Sequence, residues 1–147
     1  MFMMTDKEAQ EIAALLNARN QFARDYTGQD VLDEKEDYEY EVRDGKVVAC
    51  IERRLIQWYQ LEVRHLSVGE AWERKGLGSL VYGRAEEFGR SKRAVLVQCT
   101  IREGNEASEG FFETHGFAKV SRVFYAPTGN NVGVWHKVLS AARESTK

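Results

Sequence analysis

Glu73-Arg74-Lys75-Gly76-Leu77-Gly78-Ser79 is the stretch that decides how this chain reads. Two glycines spaced i, i+2 let a backbone approach a ligand with no Cβ in the way, and the amides of the helical turn that follows have no intrahelical partner. Such a turn attracts anions, phosphate above all, and Arg74 and Lys75 add positive charge. The helix is written in the next residues: Leu77, Leu80, Val81, Ala85 and Phe88 share one face, while Arg84, Glu86, Glu87 and Arg90 fall elsewhere. Before the turn, Leu61 to Val68 reads as a strand. A Walker A loop needs Gly, four residues, then Gly-Lys-Ser/Thr, and the order here is Lys75-Gly76-Leu77-Gly78. A dinucleotide fingerprint needs a small residue where Val81 stands and an acid about twenty positions on, where Gln98 and Cys99 are found. An isolated Gly-x-Gly more often caps a helix than binds a ligand, so its surroundings must carry the reading.

Beyond the helix, Ala94 to Thr100 is a near-continuous apolar strand, suited to a buried parallel position and completing a right-handed βαβ unit. Asn105 is the N-cap of another helix with apolar Ala107, Phe111 and Phe112, and Gly116 ends it with His115 in the last turn. Phe117 to Tyr125 and Val132 to Leu139 are strands around Pro127-Thr128-Gly129-Asn130-Asn131. Upstream, the strand Gln57 to Val68 changes phase between Leu61, Val63 and Leu66, Val68, which a regular strand cannot do; a β-bulge near Arg64-His65 absorbs the extra residue. Tyr38 to Val42 alternates, Asp44-Gly45 makes a hairpin turn, and Lys46 to Arg54 returns. Thr5-x-x-Glu8 is a capping box that opens a first helix from about residue 6 to about 23, with Ile12, Leu15, Leu16 and Phe22 on its stripe. Tyr26-Thr27-Gly28 breaks it, and a shorter helix covers Asp30 to Asp37.

With 147 residues, 43% of them hydrophobic, the chain supports one core, so residues 1–147 are expected to form a single domain with frayed ends at about 1–4 and 140–147. Twenty-three acidic residues against 21 basic ones give a net charge of -2, which argues against nucleic acid or an acidic membrane as partner. No leader pattern or membrane-length run is present, which points to the cytoplasm, and there Cys50 and Cys99 read as buried free thiols. With His65, His115 and His136 scattered, no metal site is expected. The acidic run Asp33 to Asp37, with Glu39 and Glu41, is either a solvated face or the flank of a cationic substrate. Val132 to Leu139, with Trp135, reads as core, a homodimer edge being the alternative.

With these residues in order, the chain resembles the GNAT superfamily of acyl-CoA-dependent N-acyltransferases, from the first helix to about Leu139. Leu66-x-Val68 and the glycine turn look like the family's strand-turn-helix motif. Asn105-x-x-Ser108-x-x-Phe111-Phe112 with Gly116-Phe117 looks like its second motif, and the phase break at Arg64-His65 falls at its bulge. The resemblance implies an α+β (mixed α/β) single-domain fold: a mixed central sheet of about six strands, splayed between the bulged strand and Ala94 to Thr100, with roughly four helices. It implies acetyl-CoA as acyl donor. Pantetheine would pair with the backbone of Leu66, Ser67 and Val68, whose N–H groups would also polarise the thioester. The pyrophosphate would rest on Arg74, Lys75, Gly76, Leu77, Gly78 and Ser79, with Asn105, Phe111 and Phe112 further along the cofactor.

The implied activity is an N-acetyltransferase in which a primary amine attacks the thioester directly in a ternary complex. The acceptor is a small cationic amine or a protein amine. The reading from another class is a non-catalytic acyl-CoA-binding module that regulates or partners another protein. Three departures bear on this choice. Glu73 stands where the family usually has Gln or Arg. Phe112 stands where many members have the tyrosine that protonates the leaving thiolate, and a phenyl ring donates no proton. The family's N-terminal strand has no counterpart before Thr5. Glu62 and His65 are the candidates for the base, Thr100 lies where some members place a glutamate base, and Tyr125 is the candidate substitute acid.

Overall fold

The computed structural model describes residues 3–20, 22 and 24–140. Helix α1 (Asp6–Arg19) starts on the expected capping box: Thr5 Oγ1 accepts the Glu8 N–H and Glu8 Oε1 accepts the Thr5 N–H, both at 3.0 Å. Ala9, Ile12, Ala13 and Leu16 form its buried stripe. The helix ends before the expected residue 23, because Asn20 turns extended and its Nδ2 donates to Leu16 O at 3.0 Å and to Ser67 Oγ at 2.7 Å. Gln21 and Ala23 of that expected extension lie outside the described residues. Helix α2 (Gly28–Asp33) begins earlier than expected. Thr27 caps it through a second box with Asp30, and Lys35–Asp37 is a 3₁₀ turn rather than more α-helix.

Strands β1 (Tyr38–Arg43) and β2 (Lys46–Gln57) form the expected hairpin, with Asp44 and Gly45 at φ 53° and 75°. A second hairpin has no signal in the sequence. Trp58 and Tyr59 make a turn, so Gln57 ends β2 and the next strand, β3 (Gln60–Val68), starts after it. Helix α3 (Leu77–Ser91), strand β4 (Leu96–Arg102), helix α4 (Glu106–Thr114) and strands β5 (Ala118–Tyr125) and β6 (Asn130–Val138) complete the chain. Among the described residues no strand precedes α1. The expected frayed ends fall mainly on residues 1–2 and 141–147, outside the described residues.

The strands form one mixed six-stranded sheet in the order β1-β2-β3-β4-β6-β5, with four α-helices, an α+β fold. The β3–β4 pair is parallel and its register runs only from Gln60↔Leu96 to Glu62↔Gln98, so the ladder stops before the bulge, as the splayed sheet requires. β4 pairs antiparallel with β6 from Leu96↔Val138 to Arg102↔Val132. That places β6 between β4 and β5 rather than at an edge. β5 is the edge strand on that side, with β1 at the other edge, and it is exposed along its whole length.

The chain divides into two compact units, Met1–Arg53 with Arg64–Glu86, and Arg54–Val63 with Glu87–Lys147. In the first, Ala9, Ile12, Leu16, Val31, Tyr38, Val47 and Cys50 form the core. In the second, Leu61, Val63, Val97, Cys99, Phe112, Phe117 and Trp135 are buried. β4 is therefore not apolar on both faces: Val97, Cys99 and Ile101 face the core, whereas Leu96 and Gln98 are half-buried and Thr100 is exposed.

Candidate active site

In the first unit the glycine turn is built by backbone conformation. After β3, Gly69 N–H donates to Val48 O at 2.9 Å and Glu70–Trp72 makes a 3₁₀ turn. Arg74 and Gly76 then adopt left-handed φ of 64° and 79° and turn the chain into α3. The Leu80 N–H to Gly76 O bond, 3.0 Å, is the first of the helix, so the amides of Leu77, Gly78 and Ser79 lie ahead of the ladder. A Cβ at Gly76 would meet nothing within 4 Å, and Arg74 and Lys75 are exposed. Outward amides, two cations and open space fit a phosphate-bearing ligand. Glu73 does not oppose that charge freely, because Arg19 of α1 pairs with its carboxylate.

The bulge is where the phase break put it: His65 has φ 61°. Beyond it lie Leu66 and Val68, the apolar positions after the phase break. Both are half-buried, and Ser67 between them is buried, accepting from Asn20 and donating to His65 O at 3.2 Å.

Sequence reasoning missed the group that organises the bulge. Glu52, fully buried on β2, accepts from Arg64 Nε at 3.0 Å and Arg64 Nη2 at 3.2 Å. His65 Nδ1 stands 3.1 Å from Glu52 Oε1, off the line of a good hydrogen bond. Burial would raise this carboxyl's pKa, but His65 and Arg64 overcome it and hold the group well below the usual carboxylate range. Phe22 and Tyr26 pack edge-on against the His65 ring at 4.9 and 5.3 Å. No residue type near Glu52 in the sequence announces this, since its partners come from the neighbouring strand.

Carboxylate oxygens of Glu34, Asp37 and Glu52 gather within 4.8 Å of one another, yet Arg64 grips Glu52 and reaches Glu34 at 4.0 Å, which makes the cluster an ion-pair network. Three further acids of the run are similarly engaged. Glu39 pairs with Arg53 at 3.0 Å, Glu41 with Arg43 at 2.7 Å and Arg84 at 2.8 Å, and Asp33 accepts from Gln29 at 2.8 Å.

In the second unit Asn105 caps α4, its Oδ1 accepting the Ser108 N–H at 3.3 Å. Phe112 is buried between Phe111 and Phe117, at 5.0 and 5.1 Å, while Phe111 is half-buried against His115 at 4.4 Å. Glu62 is half-buried, with no hydrogen-bond or ion-pair partner among the described residues. It sits at the last β3–β4 rung beside Gln98, which in turn pairs with His136. Tyr125 shares that sheet face, but its partner Asn130 is six positions along β6 from His136, roughly 20 Å at ~3.3 Å per residue. Glu62 and Tyr125 are therefore not brought together.

A sequence profile of the acetyltransferase (GNAT) family matches residues 8–117. The chain belongs to this family, whose acyl donor is acetyl-CoA. A search of curated protein sequences finds no match. Among solved structures, Ard1 from Thermoplasma volcanium superposes with a TM-score of 0.81 at 17% identity, over 95% of this chain and 97% of that one. A Mycobacterium tuberculosis protein solved with CoA gives 0.79 at 15% identity, over 95% and 98%. A ribosomal-protein-alanine N-acetyltransferase from Brucella melitensis gives 0.77 at 16% identity, over 94% and 98%. At these identities the likeness concerns the fold.

Proposed function

We propose that residues 1–147 act as one acetyltransferase domain that moves an acetyl group from acetyl-CoA to a primary amine by direct attack in a ternary complex. The observation that carries the reading is the turn at Arg74 to Ser79, with two left-handed residues leading into a helix start and a basic rim, in a chain of the GNAT family. Arg74, Lys75, Gly76, Leu77, Gly78 and Ser79 would hold the pyrophosphate. Leu66, Ser67 and Val68 would pair with the pantetheine, and Asn105, Phe111 and Phe112 would flank the rest. The two buried free cysteines suit a reducing cytoplasm, and no helix is long and apolar enough to cross a membrane.

Of the three catalytic candidates, Glu62 is the one open to the acceptor amine, because its carboxylate has no partner among the described residues while His65 is held between Glu52, Phe22 and Tyr26. The acceptor is a small cationic amine drawn to Glu62. The paired acids of Glu34, Glu39 and Glu41 are less suited to that task than the open run in the sequence suggested. A protein amine is the other acceptor class, since the Brucella neighbour is described as acting on a ribosomal protein. Phe112, buried and without a hydroxyl, favours the second reading, an acyl-CoA-binding module without turnover.

Thiol release from acetyl-CoA over a broad amine panel, run beside a calorimetric titration, separates the readings. Turnover supports the enzyme, and tight binding with no turnover supports the module. No binding and no shift in melting temperature removes both.

A further inference from the structure

Three strands of the second unit carry a polar row across one sheet face. Glu62 of β3 pairs with Gln98 of β4, and Gln98 with His136 of β6. Paired residues on adjacent strands project to the same face, so at about 4.8 Å between strands the three Cα atoms span roughly 10 Å. The neighbouring positions Leu61, Val63, Val97, Cys99 and Trp135 are buried on the opposite face, while Glu62, Gln98 and His136 are half-buried. The row also coincides with the last rung of the β3–β4 ladder, where the two strands cease to pair.

Gln98 Oε1 receives Gln60 Nε2 at 3.0 Å and lies 2.9 Å from His136 Nε2. An amide oxygen only accepts, so this arrangement makes His136 Nε2 the protonated nitrogen. Nδ1 is left with a lone pair and with no partner among the described residues. The neutral imidazole is thereby fixed in one tautomer and one orientation by a residue on the strand between it and Glu62.

We propose that His136 Nδ1 takes the proton of the acceptor ammonium, that Gln98 is the positioning residue that holds the imidazole, and that Glu62 supplies the counter-charge that draws the ammonium in. This rests on the acetyltransferase reading above. By chemical type an imidazole is a stronger base than a carboxylate, and it can take a proton from an ammonium that faces its lone pair. The unpaired carboxylate is thus better used as counter-ion and the imidazole as base.

In the step, an ammonium N–H bond breaks and its proton passes to Nδ1. The neutral amine attacks the thioester carbonyl carbon, the C–N bond forms, and the C–S bond breaks with its electron pair leaving on the CoA sulfur. The nitrogen's second proton and the imidazolium proton go to solvent. Among the described residues of β3, β4 and β6, the charged groups on this face are Glu62 and Arg102, the latter four positions from Gln98 at the Val132 rung, and Arg54 of β2 belongs to the same unit. Ala118 of β5 and Val134 and Val138 of β6 are apolar, and Lys119 and Lys137 belong to the opposite face, at the rungs of Trp135 and Val97.

The test uses the full chain, acetyl-CoA, and a panel of spermidine, tyramine and a hexapeptide with a free N-terminal alanine. His136→Gln keeps a donor toward Gln98, and it is expected to lower kcat about 100-fold. It should also remove the acidic limb of the kcat pH profile, with the acetyl-CoA dissociation constant and melting temperature at wild-type values. Gln98→Leu is expected to move that limb with a smaller loss of kcat and little change in KM. A His136→Gln protein with the wild-type rate and profile overturns the proposal. If that variant folds poorly, NMR of the wild-type imidazole decides: a His136 Cε1–H resonance indifferent to the best panel amine overturns it equally. Active wild-type protein with an indifferent His136 removes this proposal alone, whereas protein that binds acetyl-CoA and acetylates nothing in the panel removes the underlying reading as well.

Discussion

The Arg64 guanidinium holds a carboxylate, Glu52, that has no exposed surface, through two parallel hydrogen bonds of 3.0 and 3.2 Å. Arg64 immediately precedes the left-handed His65, so a single buried acid on β2 grips the first residue of the β3 bulge and stands 3.1 Å from the second. Local sequence does not favour a left-handed histidine. The bulge persists because a neighbouring strand fixes it, and the backbone of Leu66 to Val68 takes its direction from that point.

Glu52→Gln is accordingly expected to destabilise the protein. Breaking a buried ion pair by removing one partner costs about 3–5 kcal/mol, but Arg64 retains 35% side-chain exposure and recovers water, so a loss of about 2 kcal/mol is expected. Chemical denaturation measures it. The pH dependence has a definite sign. The folded pKa of Glu52 is depressed, so its contribution is fully present above the unfolded glutamate value of ~4.3 and is lost as pH falls below it. The wild type should lose stability on acidification in that window more steeply than Glu52→Gln, and parallel acid profiles would show that the pair is not what the folded state relies on.

At the glycine turn, strain and space separate cleanly. Gly76 has φ 79°, and a Cβ added there would have nothing within 4 Å, so Gly76→Ala should cost about 1 kcal/mol through backbone conformation alone. Gly133 has an ordinary φ, but a Cβ there would stand 2.9 Å from Lys119 Cε and Trp135 Nε1, so Gly133→Ala acts through crowding. Arg74→Gly relieves a left-handed non-glycine residue and should leave stability equal or higher while weakening acetyl-CoA binding about tenfold through the lost charge. Melting curves with and without acetyl-CoA distinguish the three variants.

Much of the fold was legible because its signals are local. The Thr5–Glu8 box and the Asp44-Gly45 turn each use chemistry contained within four residues. The Thr27–Asp30 box uses the same chemistry with a shorter acid, and Gly28, which reads as a breaker, is the first helical residue. The Trp58-Tyr59 turn carries no Gly, Pro, Asn or Asp, so the sequence ends one strand at Arg54 and starts the next at Gln57, a few residues ahead of the real break. The anion-cradle reading of the glycine turn rests on equally local chemistry, while Glu52 with its bulge partners and the Gln60, Gln98, His136 row depend on strand register. Register joins residues 12 to 38 positions apart, which periodicity along one segment cannot reveal.

The Arg19–Glu73 pair predicts how a departure from the family pattern is tolerated. The two side chains are 31% and 44% exposed, so the pair itself adds little stability, but it covers a negative charge beside the cradle. Glu73→Gln should tighten acetyl-CoA binding about threefold and Arg19→Ala should weaken it by a similar factor, each effect shrinking as salt rises. Calorimetry at low and high ionic strength checks the sign. Equal affinity in both variants at low salt would remove Glu73 from the cofactor's electrostatics.

The two cysteines are both buried and free. Burial pushes the Cys99 thiol up to about 12, with the Glu62 charge adding to it. Burial, with Glu52 as the smaller cause, pushes Cys50 upward as well. A thiol is nucleophilic only as thiolate, and at pH 8 neither group supplies an appreciable fraction of it. The folded protein is therefore expected to react with none of an excess of a chromogenic disulfide over the minutes of an assay, and to titrate both thiols once unfolded in guanidinium. Rapid modification of the native protein would mean that one of these strands opens readily. With Cys99 on β4 between Gln98 and Thr100, protection by acetyl-CoA against that modification would report the opening at the β4 strand itself.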